Sequence, residues 1–136
     1  MSLHQFKVTT CDQEFVDINA QLDQLIQYSG LDAGLATVFI QHTSASLLIQ
    51  ENADPAVRDD LQAWFKRLVP EGDSLYTHTA EGLDDMPAHI KSSLTASSLA
   101  IPVLNGRLAL GTWQTVYVWE HRYGQHQRHL VLHFSA

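Results

Sequence analysis

The chain has 136 residues, a hydrophobic content of 45% and a formal net charge of −7 at pH 7. This length fits one domain, and the hydrophobic content is sufficient for a core. With only 8 lysines and arginines the sequence lacks the basic surface of proteins that bind nucleic acids or anionic membranes, so we expect neither partner. A local pair such as Arg122 and Arg128 could still hold a phosphate.

The cysteine content and the first residues indicate the compartment. Cys11 is the single cysteine, which excludes an internal disulfide and a cysteine-cluster metal site. The N-terminus has no apolar signal core, and no run reaches the roughly 18 apolar residues that a membrane helix needs. We therefore expect a cytoplasmic protein.

The N-terminal region predicts strands followed by a helix. Alternating β-forming and polar residues favour a strand over residues 3–10, and residues 15–18 favour a second strand or the approach to a helix. A helix is predicted from Asn19 or Ala20, with Gly30 as its C-terminal stop. Its apolar positions at helical spacing are Leu22, Leu25 and Ile26.

Residues 34–42 predict a strand whose inner face carries Ala36, Val38 and Ile40. His42 continues this phase, so it should emerge at the end of the strand on a face that otherwise packs inside. It is either a functional histidine or a buried one with satisfied hydrogen bonds. Small hydroxyl residues follow, and a short strand is predicted over residues 47–50.

The next segment predicts an amphipathic helix. Asp54 before Pro55 is a strong N-cap signal, because the carboxylate accepts from free amides and proline at the first helical position loses no hydrogen bond. Pro70 ends the helix. The apolar residues on one of its faces are Val57, Leu61, Trp64, Phe65 and Leu68.

Residues 76–91 form the most polar stretch of the chain. His78 and His89 bracket three carboxylates, those of Glu81, Asp84 and Asp85. Imidazole and carboxylate groups together can bind a divalent metal, relay a proton, or satisfy each other in a solvated loop. A helix is predicted from about Pro87, capped by Asp85 or Met86, which would place His89 in its first turn.

The C-terminal third predicts β-structure. Asn105-Gly106 is a hairpin turn signal between a strand over residues 99–103 and one over residues 107–110. Residues 112–120 are apolar on both faces, which indicates a central strand or one whose outer face meets another subunit.

The last predicted strand, over residues 126–134, alternates between two kinds of side chain. Leu130, Leu132 and Phe134 point inward. His129 and His133 point outward, which favours a wet or interfacial sheet face over a metal pair.

Several catalytic patterns are absent from the sequence. It has no glycine-rich phosphate loop, no GxSxG elbow and no HExxH motif. The remaining candidates are polar residues at three places in the chain: His42, Thr43 and Ser44; Glu51, Asn52 and Asp54; His78, Glu81, Asp85 and His89.

Six blocks of the sequence carry a resemblance to a known family. They are His42-Thr43-Ser44-Ala45, Glu51-Asn52-Ala53-Asp54-Pro55, the segment from Tyr76-x-His78 to Ala88-His89-Ile90-Lys91, Ile101-Pro102-Val103, Gly106-Arg107-Leu108 and Leu110-Gly111-Thr112-Trp113-Gln114. Together they resemble the secondary thiamine-phosphate synthase family, often called YjbQ-like. The blocks occur in family order and span most of the chain.

The resemblance implies an α+β fold. We expect a single domain over residues 1–136, with a mostly antiparallel, sandwich-like β core and about three helices, assembled as a homotrimer with pockets near subunit contacts. Many family members continue with Glu-Phe-Asp-Gly-Pro-Arg where this chain has Glu120-His121-Arg122-Tyr123-Gly124-Gln125. Residues 120–127 are therefore a candidate pocket rim specific to this chain.

The leading functional hypothesis is an enzyme that joins hydroxymethylpyrimidine diphosphate to a thiazole phosphate and releases pyrophosphate. A divalent metal, Zn or Mg, or basic side chains would neutralise the leaving group. The resemblance assigns the polar pocket to His42, Asn52, His78, Glu81 and His89. We assign catalytic roles to His42, His78, Glu81 and His89, substrate binding to Thr43, Ser44, Asn52, Asp85, Trp113 and Gln114, and metal binding to His42, His78 and His89.

Two other functions fit the same residues. One is a trimeric binding or regulatory module that holds a metal or a phosphorylated metabolite without turnover. The other is a metal-dependent hydrolase of a different phosphate ester. In a purely structural interpretation, His42 and His89 are only interior or capping histidines.

Overall fold

The computed structural model describes residues 2–136, which form eight strands and three helices. The elements are β1 (Ser2–Cys11), β2 (Phe15–Asp17), α1 (Asn19–Ser29), β3 (Gly34–Ile40), β4 (Ala45–Glu51), α2 (Pro55–Leu68), α3 (Asp85–Leu94), β5 (Ser98–Leu104), β6 (Arg107–Leu108), β7 (Gln114–Glu120) and β8 (Gln125–Ser135). All strand pairs are antiparallel. The predicted α+β fold with three helices is confirmed.

Two sheets enclose the core. The larger has the strand order β1-β8-β3-β5-β6, and the smaller has the order β2-β7-β4. Side chains of both sheets and of α1 form one buried apolar cluster. The predicted inward residues of β3 and β8 are buried in it: Ala36, Val38, Ile40, Leu130, Leu132 and Phe134.

β7 is the central strand of the smaller sheet, as its two apolar faces predicted. Val116 and Val118 enter the core. On the opposite face Trp119 stacks on Phe15 and meets the edge of the Phe65 ring, with centroids 4.5 and 4.8 Å apart. Helix α2 therefore helps to cover the second face.

The hairpin turn between β5 and β6 follows from its sequence. Asn105 and Gly106 both have positive φ values, 54° and 75°, as a two-residue type I′ turn requires. The strand after it spans only Arg107–Leu108, two residues shorter than predicted.

Helix α2 begins as predicted but buries less than its pattern suggests. Asp54 Oδ1 accepts a hydrogen bond from the Ala56 amide at 2.9 Å, so the N-cap is confirmed. Phe65 is the buried residue of the helix, whereas Trp64 and Leu68 are each 51% exposed. The helix has 14 residues, α1 has 11 and α3 has 10, and none of the helices in residues 2–136 could span a membrane.

Candidate metal site

Helix α3 starts earlier than the sequence predicted. It begins at Asp85, two residues before Pro87, so His89 lies in the second turn and not in the first. Asp84 occupies the N-cap position, but its side chain makes no capping bond. Its carboxylate instead accepts a hydrogen bond from the Tyr123 amide at 2.9 Å. The early start brings Asp85 into the helix, so that Asp85 and His89, four residues apart in the sequence, lie on the same helix face.

His78, Asp85 and His89 form one cluster, which we call the His–Asp cluster. His78 Nε2 lies 2.6 Å from Asp85 Oδ2, and His89 Nε2 lies 3.2 Å from the same oxygen. The Asp85 side chain is only 4% exposed, against 43% for His78 and 32% for His89. A buried carboxylate thus forms the floor, and two imidazoles form an accessible rim.

A backbone carbonyl fixes the ring of His89. Its Nδ1 lies 3.0 Å from the carbonyl oxygen of Thr43, which can only accept, so Nδ1 carries a proton. In the neutral ring, Nε2 then carries no proton, and its lone pair is directed at the Asp85 carboxylate. A second proton or a cation is needed to make that approach favourable. Metal-binding histidines are commonly oriented by such a bond from their other nitrogen.

Asp85 stays ionised despite its burial. Burial alone would raise its pKa, but the hydrogen bond that it accepts from His78 and the charges of His89 and Arg122 outweigh this effect and lower the pKa below its usual value. The cluster therefore offers an anionic oxygen ligand at neutral pH.

Arg122 connects the cluster to the turn between β7 and β8, residues 121–124. Its Nε lies 3.4 Å from Asp85 Oδ1 and 3.4 Å from Asp84 Oδ2. Its Nη2 donates to the Glu81 carbonyl at 2.7 Å. The Glu81 side chain is 62% exposed, with its Oε2 4.0 Å from Arg122 Nη1, so Glu81 reaches the site mainly through its backbone. The turn that departs from the family pattern therefore lies against the site.

The donor set of the cluster fits zinc. Two imidazole nitrogens and one carboxylate oxygen all lie within 4.8 Å of one another. This is the combination of catalytic zinc sites, which keep a fourth position open, whereas magnesium prefers oxygen ligands. Three carboxylates and one guanidinium, those of Glu81, Asp84, Asp85 and Arg122, leave a formal charge of −2, which also favours a cation.

His42 does not join this cluster. It lies half-buried just beyond β3, where the strand phase predicted it, and its Nε2 accepts a hydrogen bond from the His129 amide at 2.7 Å. Its Nδ1 faces Arg128 Nη1 at 3.3 Å. Burial, and then the charge of Arg128, lower its pKa. Both nitrogens of His42 face donors, and the residue that lies close to both His78 and His89 is Asp85.

Arg122 and Arg128, the two arginines that could hold a phosphate, are both paired with carboxylates. Arg128 is buried and donates from Nε to Glu120 Oε1 at 2.6 Å. Its Nη2 also donates to the Ser44 carbonyl at 3.2 Å. Arg122 is paired with Asp84 and Asp85 as described above. A phosphate at either side chain would compete with these carboxylates.

The other predicted substrate residues lie at the far end of β4. Asn52 donates from its amide to the Trp113 carbonyl at 3.0 Å and from Nδ2 to Thr115 Oγ1 at 3.0 Å. Gln114 pairs with Glu51 in the same region. Thr43 and Ser44, in contrast, precede the first residue of β4, beside His89. Six residue steps of about 3.3 Å separate the two ends of β4 by about 20 Å.

A cavity of about 210 Å³ opens beside His78. Its wall includes Tyr76, Leu83 and Met86, with Asp73 as an acidic group. No lysine or arginine of the described chain lines it. The cavity wall is therefore apolar and acidic, apart from the imidazole of His78.

Arg122 is not recognisable from the sequence as part of this site. The only signal was the departure of residues 120–127 from the family pattern, which marked a pocket rim without naming a contact. Asp84 was noted as one of three carboxylates, but its bond to the Tyr123 amide depends on tertiary structure.

The fold and the cluster define a small α+β protein of two antiparallel sheets with a His–Asp–His site at the start of its third helix. The chain belongs to the family described as UPF0047 protein YjbQ-like, whose model matches residues 4–136. This confirms the YjbQ-like assignment that the six sequence blocks indicated.

Relatives support the family over most of their lengths. The UPF0047 protein sll1880 of Synechocystis is 53% identical over 129 residues, which cover 95% of this chain and 88% of that protein. The UPF0047 protein YjbQ of Escherichia coli O157:H7 is 46% identical over 110 residues, covering 81% and 79% of the two chains.

Solved structures support the fold. The structure of an uncharacterized conserved protein of the YjbQ/UPF0047 family from Clostridium acetobutylicum is 35% identical, with a TM-score of 0.88, and the match covers 97% of this chain and 99% of that one. The conserved hypothetical protein TT1486 from Thermus thermophilus is 33% identical with the same TM-score and coverage.

Proposed function

We propose that this protein is a metal-dependent enzyme that acts on a small phosphorylated substrate. The observation that carries the proposal is the His–Asp cluster, in which two imidazole nitrogens share one ionised, buried carboxylate oxygen. A bound zinc ion would supply charge neutralisation for a leaving phosphate or pyrophosphate. Arg122 and Arg128 are already paired with carboxylates, which supports a metal ion in this role.

The condensation of hydroxymethylpyrimidine diphosphate with a thiazole phosphate is the reaction to test first. In it the bond from the pyrimidine methylene to the diphosphate oxygen breaks, a bond to the thiazole nitrogen forms, and pyrophosphate leaves with the electron pair. The cavity beside His78 has acidic and apolar walls without lysine or arginine, which suits the electron-poor organic fragment. Tyr76, Leu83 and Met86 supply its apolar wall.

The test is pyrophosphate release by purified protein supplied with both substrates. We expect release that needs both substrates and is abolished by a chelator, and an Asp85→Asn variant at least roughly 100-fold slower. An Asp60→Asn variant, which removes an exposed acid of α2, serves as the matched control and should keep the wild-type rate. Absence of release, or an unchanged rate in Asp85→Asn, would contradict this reaction.

A second candidate is a module that binds a metal or a phosphorylated metabolite without turnover. The specific observation in its favour is that the two arginines near the site are already paired with carboxylates. Bound metal without pyrophosphate release would favour this module, or a hydrolase of another phosphate ester.

We also propose the homotrimer as the working assembly, in the cytoplasm and without nucleic-acid or membrane partners. The polar residues at the Asn52 end of β4 lie about 20 Å along the strand from those at the His89 end. Trp113, beside Asn52, is 61% exposed. A second copy could bring this end to the His–Asp cluster of the first and supply the missing substrate contacts.

A further inference from the structure

We infer that Arg122 is a positioning residue, which holds the Asp85 carboxylate so that one oxygen faces both imidazoles. The inference rests on the metal site proposed above. It assigns to the turn of residues 121–124 a specific task in metal binding.

The two oxygens of Asp85 have different partners. Oδ2 lies 2.6 Å from His78 Nε2 and 3.2 Å from His89 Nε2, while Oδ1 lies 3.4 Å from Arg122 Nε. Rotation of the carboxylate would exchange these environments. The guanidinium opposes that rotation, because its charge attracts the oxygen that is not directed at the imidazoles.

Arg122 is itself held at its backbone and at its side chain. Its amide donates to the buried Glu120 Oε2 at 3.0 Å, and its carbonyl accepts from the Gln13 amide at 2.9 Å. Its Nη2 donates to the Glu81 carbonyl at 2.7 Å. A guanidinium with these anchors can fix the orientation of a neighbour, which a mobile surface arginine cannot do.

The Nε group of Arg122 has no other use in the described part of the chain. It is buried and makes no hydrogen bond within ordinary geometric limits, yet it lies 3.4 Å from an oxygen of Asp84 and of Asp85. Nε is held between these two carboxylates by the anchors of the Arg122 backbone and of Nη2, so its position depends on the shape of the guanidinium.

Asp84 and Gly82 complete this arrangement. Asp84 accepts from the Tyr123 amide at 2.9 Å, which keeps the turn against α3. Gly82 has a φ of +108°, and a Cβ there would lie 3.1 Å from Asp84 Oδ1 and 3.9 Å from Arg122 Nη2. The glycine thus lets the backbone pass close to the Asp84–Arg122 pair.

Charge and position make opposite predictions for Arg122 variants. If the arginine matters only as a positive charge near the metal, Arg122→Gln should bind a cation more tightly and Arg122→Lys should match the wild type. If it positions Asp85, both variants should bind more weakly, because lysine keeps the charge but lacks the planar fork and its anchors.

The experiment is a titration of the metal-free protein with Co²⁺ alone, followed by the visible absorbance of the bound ion. We expect Kd to rise by roughly 10-fold or more in Arg122→Lys and Arg122→Gln, the range found when groups that orient a metal ligand are lost. Asp84→Asn weakens the contacts that hold Arg122 and leaves Asp85 unchanged, so it should also raise Kd. Arg107→Gln, an exposed arginine of β6, controls for net charge, and circular dichroism checks folding of each variant.

The titration distinguishes failure of the positioning role of Arg122 from failure of the metal site. Wild-type protein that binds no Co²⁺ would overturn both. Wild-type binding with an unchanged Kd and spectrum in Arg122→Lys, or tighter binding in Arg122→Gln, would overturn the positioning role and leave the metal site standing. Weaker binding in the Arg122 and Asp84 variants, with Arg107→Gln unchanged, supports the role.

Discussion

Two buried ionisable side chains, Glu120 and His121, have pKa values lowered by their surroundings. Burial alone would raise the pKa of Glu120, but hydrogen bonds from Arg128 and Thr10 outweigh it and lower the pKa. For His121, burial and then the charge of Lys91 lower the pKa to about 3. The His121 ring is therefore neutral, with Nε2 2.8 Å from Ser46 Oγ.

The neutral His121 predicts a loss of stability in mild acid. Its ordinary pKa is 6.5 and its folded value is about 3, so the unfolded chain binds the extra proton between these limits. The free energy of unfolding should fall by about 1 kcal/mol per pH unit from this residue as pH drops from 6.5 to 4.5. Urea unfolding at several pH values, with His121→Phe beside the wild type, measures this effect.

The free energy of unfolding of His121→Phe should depend less on pH than that of the wild type, even if the variant is less stable at pH 7. His42 also has a lowered pKa and contributes in the same direction, but it is present in both proteins. Parallel curves for the two proteins would contradict the assignment to His121.

At the scale of elements, local sequence patterns predicted which segments form helices and strands. The alternation in β3 and β8 and the cap before α2 are local signals, and each was confirmed. The contact of α2 with the sheet is not local. Five apolar residues share a face of that helix, yet Phe65 is the buried one, because its ring packs against Trp119 from another part of the chain.

Because Phe65 is buried and Leu68 is exposed, we expect side-chain truncation at these two positions of α2 to lower stability by different amounts. Phe65→Ala should lower the free energy of unfolding by about 3 kcal/mol or more, because it leaves a cavity against Trp119. Leu68→Ala, at a 51% exposed position of the same helix, should cost about 1 kcal/mol or less. Equal losses in chemical denaturation would show that the helix packs differently.

In the candidate site, too, contacts between residues close in sequence could be predicted, whereas long-range contacts could not. His78, Asp85 and His89 were recognisable because they lie within 12 residues of one another in the sequence. The contact of Arg122 with Asp85 joins residues 37 positions apart, across a turn with no local signature. The separation of Asn52 from the cluster required the register of β4 with β7.

At the scale of the whole molecule, the predicted site residues lie in two groups, at the His89 end and at the Asn52 end of β4. Their separation within one chain suggests an assembly of several copies. If copies of the chain complete each other's sites, light scattering after gel filtration should give three times the chain mass of 15.2 kDa, about 46 kDa. Trp113→Ala should shift the protein toward smaller species, because it removes an exposed aromatic side chain at the Asn52 end. A mass of one chain at all concentrations would contradict the trimer.

The central claim, a metal site at the His–Asp cluster, is tested most directly by metal analysis of purified protein. We predict about one zinc per chain in the wild type, loss of that zinc in a His78→Ala/His89→Ala double variant, and retention in a His129→Ala/His133→Ala control on the outer sheet face. Equal metal content in the wild type and the His78→Ala/His89→Ala variant, or none in either with the fold intact, would contradict it and leave these histidines as acid–base or substrate-binding groups.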